Sequence, residues 1–352
     1  MIREGIQKLI EGADLTFNES GEIMREVMSG QATNSQTAAF LTALRMKGEV
    51  VEELIAFTSV MRSNCCTIQP KVQGRLVDTC GTGGDKIKTF NVSTAAAFVI
   101  AGSGVAVAKH GNRAVTSKSG SADVLEKLGL NINLEPKEVE STIEKIGIGF
   151  MFAQTFHPAM KYAAVIRREI GIRTVFNVLG PLSNPACANA QLLGVYDSKL
   201  VVPMAFALDK LGCVEAMVVH GLDGIDEIST VGKTIIAHLK KGNVTKLEFV
   251  PSNFGVKTSA IADLESSTAE ESAEIIFKIL SGKTVDDAKA EFVLVNSAAG
   301  IIVGGQAENF AEGMEIARKS ITNGKAYAKL KELVKASGGS LQSLEELEAK
   351  YE

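Results

Sequence analysis

The chain has 352 residues and a formal net charge of −4 at pH 7, with 45% hydrophobic and 22% charged residues. This composition is ordinary for a soluble globular protein, and the length is enough for two domains. The mildly acidic balance argues against non-specific nucleic-acid binding, which normally needs a basic excess. No apolar run reaches about 18 residues without a glycine or a charge, and the first four residues do not open a signal peptide, so we expect no membrane partner.

The cysteines indicate neither a metal site nor a disulfide framework. They are Cys65, Cys66, Cys80, Cys187 and Cys213, and their spacing matches no zinc pattern. Cys80 precedes a glycine-rich turn, but no helper base lies beside it in the sequence. We therefore expect five small, buried or half-buried thiols in a cytoplasmic protein.

Residues 1–70 carry apolar residues at helical spacing only, which predicts four helices and a small N-terminal all-helical domain. Gly30 and Gly48 end the second and third stripes, and Pro70 closes the unit. From residue 71 to 352 we predict a larger α/β domain with a mostly parallel central sheet flanked by helices.

Short apolar runs alternating with helical patterns carry that second prediction. The predicted strands are 76–80, 105–108, 131–134, 148–152, 190–196, 214–220, 233–239 and 244–250. The last two are joined by Lys241, Gly242 and Asn243 and are predicted to form an antiparallel hairpin. After residue 258 the pattern is helical.

Two ligand-binding loops follow the first two predicted strands. Gly81, Gly83 and Gly84 break the chain after the first strand, and glycines let backbone N–H groups approach a ligand closely. The helix predicted over 92–101 begins directly after Asn91, and a helix N-terminus favours anions. A lone Gly-Thr-Gly-Gly also serves plain strand–helix connections, and the Walker pattern is absent.

The second loop strengthens the phosphate interpretation. Lys109 and Arg113 follow the second strand, and a run of hydroxyl residues from 116 to 121 comes next. Cations and hydroxyls at a strand's carboxyl end lie where open α/β sheets bind ligands. The two loops together predict a ligand with two separate phosphate groups.

Two later segments also hold candidate residues. Residues 180–185 predict a rigid loop, after a helix that carries Arg167 and Arg168. Such an arginine pair is usually a solvated face, but a planar guanidinium also pairs well with a carboxylate. Asp226 and Glu227 lie in a loop that follows a predicted strand. The acidic residues of this loop do not have the spacing of an EF-hand, which argues against calcium. Asp226 and Glu227 can be surface charges, or they can hold Mg²⁺ together with substrate oxygens.

The motifs GTGGD, NVSTA and KHGNR-x-x-x-S-K-S-G-S-A-D, in this order and spacing, closely resemble the anthranilate phosphoribosyltransferases of tryptophan biosynthesis. The resemblance runs over nearly the whole chain. It implies transfer of the phosphoribosyl group of phosphoribosyl pyrophosphate (PRPP) to the amine of anthranilate. An aromatic amine is already neutral at pH 7, so we expect no nucleophile or base, and only electrostatic help from Lys109.

The resemblance also implies roles for individual residues. The PRPP contacts would be Gly81, Gly84, Asp85, Thr89, Asn91, Val92, Ser93, Thr94, Lys109, His110, Gly111, Asn112, Arg113, Ala114, Val115, Thr116, Ser117 and Ser121. The anthranilate contacts would be Gly81, Asn112 and Arg167, and the ligands of two Mg²⁺ ions would be Ser93, Asp226 and Glu227. The family further implies a homodimer formed through the helical domain, in which the segment near 156–178 joins residues 1–70.

Two alternatives stay open at this stage. Pyrimidine-nucleoside phosphorylases share the architecture and a related glycine loop, but the HGNR loop, Arg167 and the Asp226–Glu227 pair favour the transferase. A catalytically inactive relative could instead bind nucleic acid in a basic groove. The net charge of −4 counts against that second alternative.

Overall fold

The computed structural model describes residues 1–83, 87, 89–114 and 119–351. Its first four elements are helices: α1 (Ile2–Ile10), α2 (Phe17–Met28), α3 (Asn34–Lys47) and α4 (Val51–Ser63). Capping boxes begin two of them, with Thr16 and Glu19 at α2 and Thr33 and Gln36 at α3. Their apolar faces form one buried core, as the helical spacing of residues 1–70 predicts.

A seven-stranded sheet forms the centre of the rest of the chain. Its strands are β1 (Leu76–Gly81), β2 (Ala106–Gly111), β3 (Ile148–Phe152), β4 (Ala190–Gly194), β5 (Glu215–Gly221), β6 (Thr234–Lys240) and β7 (Asn243–Phe249). The spatial order is β3-β2-β1-β4-β5-β6-β7, with β1 to β5 parallel and the last two antiparallel. Strands are added on one side of β1 up to β3 and on its other side from β4 onwards, so the strand order changes direction between β1 and β4. Open α/β sheets bind ligands at such a point.

Twelve further helices flank this sheet in the described part of the chain. They are α5 (Val92–Gly102), α6 (Ser121–Lys127), α7 (Pro136–Ile146), α8 (Ala153–Phe156), α9 (Lys161–Ile170), α10 (Phe176–Leu182), α11 (Val201–Lys210), α12 (Ala269–Leu280), α13 (Ala288–Val303), α14 (Phe310–Thr322), α15 (Lys325–Ala336) and α16 (Gln342–Tyr351). None of the described helices is long and apolar enough to cross a membrane.

The sheet has a separate core on each face. On one face α5 and α13 pack against the strands, with α12, α14 and α15 behind them. On the other face α10 and α11 pack between the sheet and α4, and α9 packs on α2 and α3. Arg62 links α4 to the helices on this face of the sheet, because its guanidinium donates to the carbonyl oxygens of Leu182 in α10 and of Leu211 after α11.

The predicted fold class, a small helical domain plus an α/β domain with a mostly parallel sheet, is confirmed. Three local predictions are wrong. Residues 131–134 form no strand. Ile132 and Leu134 are buried in alternation, but the backbone of Asn131 bonds the hydroxyl of Ser337 instead of a neighbouring strand.

The other two errors concern the segment after α9. Residues 180–182 are not a loop but the last turn of α10, with Pro181 inside the helix. Proline has no N–H to continue the helix ladder, and the helix ends at the next residue, Leu182. Cys187 is exposed rather than buried, and its backbone is in the left-handed region with a φ of 48°. All five cysteines are free thiols.

Candidate active site

The first glycine loop, defined as residues 81–83, leaves the carboxyl end of β1 and is held by backbone and side-chain hydrogen bonds. Thr82 donates its N–H to the carbonyl of Gly194 at 2.9 Å, and its hydroxyl accepts from the N–H of Tyr196 at 3.0 Å. Gly83 donates its N–H to Oδ2 of Asp226 at 3.0 Å. The loop is therefore anchored to the ends of both β4 and β5.

Gly194 shows how closely these segments approach each other. A Cβ on this residue would lie 1.5 Å from the carbonyl oxygen of Asp226, so only glycine fits at the end of β4. This contact brings the loop that follows β5 across the end of β4. Asp226 can then reach the first glycine loop.

The carboxylate pair Asp226 and Glu227 is buried at this edge of the sheet. Burial raises the pKa of Asp226, although the N–H of Gly83 and the nearby Arg173 lower it. A buried carboxylate pair needs positive charge nearby, and hard carboxylate oxygens are the ligands that Mg²⁺ prefers. The pair fits Mg²⁺ only in an arrangement that substrate oxygens complete, because Mg²⁺ is usually held by one or two carboxylates together with substrate phosphates. The described residues contain no cluster of three or more His, Cys, Asp or Glu ligands.

Lys109 brings a cation to the same place from β2. Its ammonium donates to the carbonyl of Thr79 at 2.7 Å and contacts Oγ of Ser93 at 3.4 Å. Burial lowers the pKa of Lys109, while the charges of Asp78 and Glu227 raise it. Ser93, Lys109 and Glu227 are thus brought together, as the proposed site requires.

The N-terminus of α5 forms the wall beside Lys109. Asn91 is the residue before the helix, and its side chain is held by hydrogen bonds with Ser119 and Ser272. Val92 and Thr94 are buried, and the hydroxyl of Thr94 has no hydrogen-bond partner among the described residues. Thr89 forms an isolated bridge with Glu265.

The second loop, defined as residues 109–114, begins inside β2. Gly111 ends the strand, and a Cβ on it would lie 2.1 Å from Oγ of Ser121. Asp123 accepts from the N–H groups of Ala114 and Gly120 and fixes the base of this loop. The guanidinium of Arg113 is paired with Asp123 and Glu126.

Asn112 is exposed on this second loop. Its side-chain oxygen accepts from the N–H of Arg113 at 2.8 Å, and its carbonyl accepts from the N–H of Ala122 at 3.2 Å. Five further predicted contacts, Gly84, Asp85, Val115, Thr116 and Ser117, lie outside the described residues.

A pair of histidines connects β2 with the segment before α9. The rings of His110 and His157 are 5.0 Å apart; His157 is buried and His110 is half-buried. Burial lowers the pKa of His110 to about 3 and that of His157 to about 4, so both imidazoles are neutral at pH 7.

Arg167 lies in the last turn of α9, with its guanidinium 5.3 Å from the centre of the Phe176 ring. Burial lowers its pKa from the usual value. In the described part of the chain, no hydrogen bond joins Arg167 to Gly81 or Asn112. The neighbouring Arg168 is exposed.

Comparison with known proteins identifies the family. The model for the glycosyl transferase family, a/b domain, matches residues 73–327, and the helical bundle domain of the same family matches residues 3–65. An anthranilate phosphoribosyltransferase from Methanocorpusculum labreanum is 52% identical over 343 residues, which cover 97% of this chain and 100% of the relative. The chain belongs to the anthranilate phosphoribosyltransferase family.

Solved structures agree with this membership. The anthranilate phosphoribosyltransferase of Thermus thermophilus is similar with a TM-score of 0.89 at 39% identity, over 95% of this chain and 99% of that chain. The Saccharomyces cerevisiae enzyme, in complex with PRPP and Mg, gives 0.86 at 29% identity, over 96% of this chain and 98% of that chain. A complex of the yeast enzyme with 4-fluoroanthranilate gives 0.86 at 27% identity, with the same coverage. The resemblance seen in the motifs is confirmed.

The sequence interpretation missed some polar residues that lie beside the site. Asp78 and Asn184 are buried between the sheet and α10, and Tyr196 stacks with Arg173 at 4.4 Å. Only Asp78 leaves a signal in the sequence, because a carboxylate inside the apolar run of β1 needs partners. The other contacts depend on the fold.

Proposed function

We propose that this chain transfers the phosphoribosyl group of PRPP to the amine of anthranilate and releases pyrophosphate, as a step in tryptophan biosynthesis. The observation that carries this proposal is that a carboxylate and a buried cation both contact β1 or the loop after it: Asp226 accepts the N–H of Gly83, and the ammonium of Lys109 donates to Thr79. Backbone donors, a carboxylate pair and a cation thus lie at the carboxyl ends of parallel strands, where open α/β sheets bind ligands. Membership of the family supports the choice of reaction.

The metal site of this proposal consists of Ser93, Asp226 and Glu227. We propose that two Mg²⁺ ions arrive with the pyrophosphate of PRPP and are held there, in keeping with the Mg in the yeast complex. When bound, Mg²⁺ neutralises the negative charge that develops on the leaving pyrophosphate. The burial of Asp226 and the Ser93–Lys109 contact support this assignment.

The phosphate groups of PRPP would bind the two loops and the N-terminus of α5. The contacts proposed within the described residues are Gly81, Thr89, Asn91, Val92, Ser93, Thr94, Lys109, His110, Gly111, Asn112, Arg113, Ala114 and Ser121. The positive end of the α5 helix dipole favours an anion near Asn91. The unpartnered hydroxyl of Thr94 gives that position a donor.

Anthranilate would bind between the second loop and α9. Its carboxylate pairs with the guanidinium of Arg167, which is held half-buried over Phe176. Asn112 and Gly81 complete the contacts, with Gly81 near both substrates. The yeast complex with 4-fluoroanthranilate supports a ligand of this type.

The reaction requires that the two substrates be positioned against each other, and it requires no nucleophilic side chain of the protein. The bond from the anomeric carbon to pyrophosphate breaks, the aromatic nitrogen bonds to the same carbon, and the nitrogen gives up one proton afterwards. Lys109 stabilises the charge on the departing group. Burial raises the pKa of the Cys80 thiol well above its usual value, so Cys80 is unsuited to act as a nucleophile.

We further propose a homodimer formed through a helical domain that combines residues 1–70 with the segment 156–178. Exposed apolar side chains on three packed helices support this surface: Ile10 of α1 is 67% exposed, Met46 of α3 is 84% exposed and Val165 of α9 is 50% exposed. A hinge between this domain and residues 71–352 would close the two over the substrates. Light scattering of the purified protein tests the dimer directly.

The reaction is tested by incubating the protein with anthranilate, PRPP and Mg²⁺ and identifying the products by mass spectrometry. We expect N-(5-phosphoribosyl)anthranilate and pyrophosphate in equal amounts. A parallel incubation with thymidine or uridine and phosphate tests the nucleoside phosphorylase alternative. Release of a free base there, with no pyrophosphate in the first incubation, would replace the transferase by a phosphorylase.

A further inference from the structure

The strands β1 and β2 pair at their beginnings but separate before their ends. Their backbone pairing covers Leu76 with Ala106 and Val77 with Val107 and then stops. On their outer sides, β1 continues to pair with β4 as far as Gly81, and β2 with β3 as far as Gly111. A gap in the backbone hydrogen bonding between β1 and β2 therefore lies directly before the two loops of the candidate site.

Three side chains form hydrogen bonds with backbone groups of β1 and β2 in this gap. Asp78 accepts the N–H of His110 on Oδ1 at 3.2 Å. Asn184 donates its amide to the carbonyl of Ala108 at 2.9 Å. Lys109 donates its ammonium to the carbonyl of Thr79 at 2.7 Å.

Buried polar side chains here replace ordinary backbone pairing between strands, and burying such groups is unfavourable unless they are hydrogen-bonded. Asp78 and Asn184 are 0% and 2% exposed. A buried backbone group without a partner is unfavourable, so each group in the gap must be bonded before the strands can separate. The side chains thus stabilise a separation that backbone pairing would otherwise close.

We propose that Asp78 is a positioning residue, which holds the carboxyl end of β2 away from β1 and so places the second loop for its substrates. Asp78 acts on the backbone of His110, two residues before Asn112, and Asn184 supports it from the end of α10. On the face of the sheet that α5 covers, Lys109 contacts Oγ of Ser93. This inference rests on the proposed function, since it assumes that the second loop binds PRPP and anthranilate.

Two substitutions of similar size separate the hydrogen bond from the packing. Asp78→Asn keeps the shape and an acceptor oxygen for His110, whereas Asp78→Leu keeps the bulk and removes the acceptor. Glu215→Leu is the matched control. Glu215 is also a buried carboxylate of this sheet, but it is the first residue of β5 and therefore lies at the end of the strands opposite to the candidate site. Steady-state kinetics with both substrates and thermal unfolding are measured for all three variants.

We expect Asp78→Leu to lower kcat/KM about 10- to 100-fold, mainly through higher KM values for PRPP and anthranilate. Asp78→Asn should stay within about threefold of the unmodified chain. A defect of stability alone would reduce the active fraction and therefore kcat, without raising KM. Of the three variants, we expect only Glu215→Leu to show a lower kcat with unchanged KM values.

The inference is overturned if Asp78→Leu keeps normal KM values, or if Asp78→Asn loses as much as Asp78→Leu. If Asp78→Leu does not fold, Asp78→Ala and Asp78→Ser take its place in the same comparison. An unmodified chain that shows no turnover contradicts the proposed function instead. Binding of PRPP with Mg²⁺, measured by calorimetry on the same variants, then tests the position of the loop without turnover.

Discussion

Gly81 lies directly against the carboxylate of Asp226. A Cβ on Gly81 would be 2.6 Å from Oδ2 of Asp226 and 3.3 Å from its Cγ. The same Oδ2 accepts the N–H of Gly83, so the contact joins the first glycine loop to the proposed metal ligand. The absence of a side chain at residue 81 is therefore what lets a buried carboxylate lie against the first glycine loop.

The change Gly81→Ala should lower kcat/KM about 100-fold, because the added methyl group displaces the carboxylate by a large fraction of an ångström. The loss should appear as a weaker response to Mg²⁺. Gly21→Ala is the control, since its Cβ meets only the flexible end of Arg25 at 3.4 Å. Normal Mg²⁺ dependence in Gly81→Ala would remove Asp226 from the metal site.

Arg167→Ala should weaken the use of anthranilate about 10- to 100-fold while leaving PRPP binding near normal, because the lost contact is a charged hydrogen bond to a carboxylate. Arg168→Ala is the matched control, since Arg168 is the next residue on α9 and is exposed. KM values for both substrates are measured. An equal loss for the two substrates would contradict the assignment of Arg167.

The double change Asp226→Asn with Glu227→Gln should abolish turnover at low Mg²⁺, because amides bind this hard cation far more weakly than carboxylates do. Activity is followed as Mg²⁺ is raised. Asp223→Asn in the same loop serves as a control, since Asp223 bonds Ser229 and the N–H of Ile225. Unchanged activity of the double variant at low Mg²⁺ would exclude the pair from the site.

The buried histidines predict a loss of stability in mild acid. Both His110 and His157 have a pKa lowered by burial from an ordinary value of 6.5. Above that value the folded and unfolded states bind no proton at these rings. Below it only the unfolded state does, so the free energy of unfolding falls as the pH decreases from 6.5 towards the folded-state pKa values of about 3 and about 4.

Between about pH 7 and about pH 5 each neutral imidazole should remove about 2 kcal/mol from the free energy of unfolding. Urea unfolding of His157→Gln at the two pH values should therefore show a smaller acid loss than the unmodified chain, by about that amount. His238→Gln is the comparison, because His238 is bonded to Glu215 at the far edge of the sheet. An acid loss that is the same with and without His157 would contradict the neutral pair.

Much of the fold follows from local patterns in the sequence. Buried parallel strands such as Ile148–Phe152 are short apolar runs bounded by glycine or helix caps, and they alternate with helical stripes, so β3 and its neighbours could be predicted. Residues 131–134 show the limit of this reasoning. Their burial alternates as in a strand, but strand formation also needs a free sheet edge at the right place.

Less of the site follows from local patterns, because its contacts join distant residues. Gly81 and Asp226 are far apart in sequence, and so are His110 and His157. The glycine motif indicates a tight turn, but it does not say that a carboxylate must fit against the turn. The task of Asp78 depends on where β1 and β2 stop pairing, which no periodicity reveals.

The measurement that tests the account most directly is the loss of anthranilate fluorescence catalysed by the purified protein. The account predicts a decrease that requires both PRPP and Mg²⁺, that stops when either is left out, and that Arg167→Ala slows at low anthranilate. No decrease under any of these conditions would contradict the assigned reaction. The family membership and the fold would remain, and the two loops would then need another ligand with two phosphate groups.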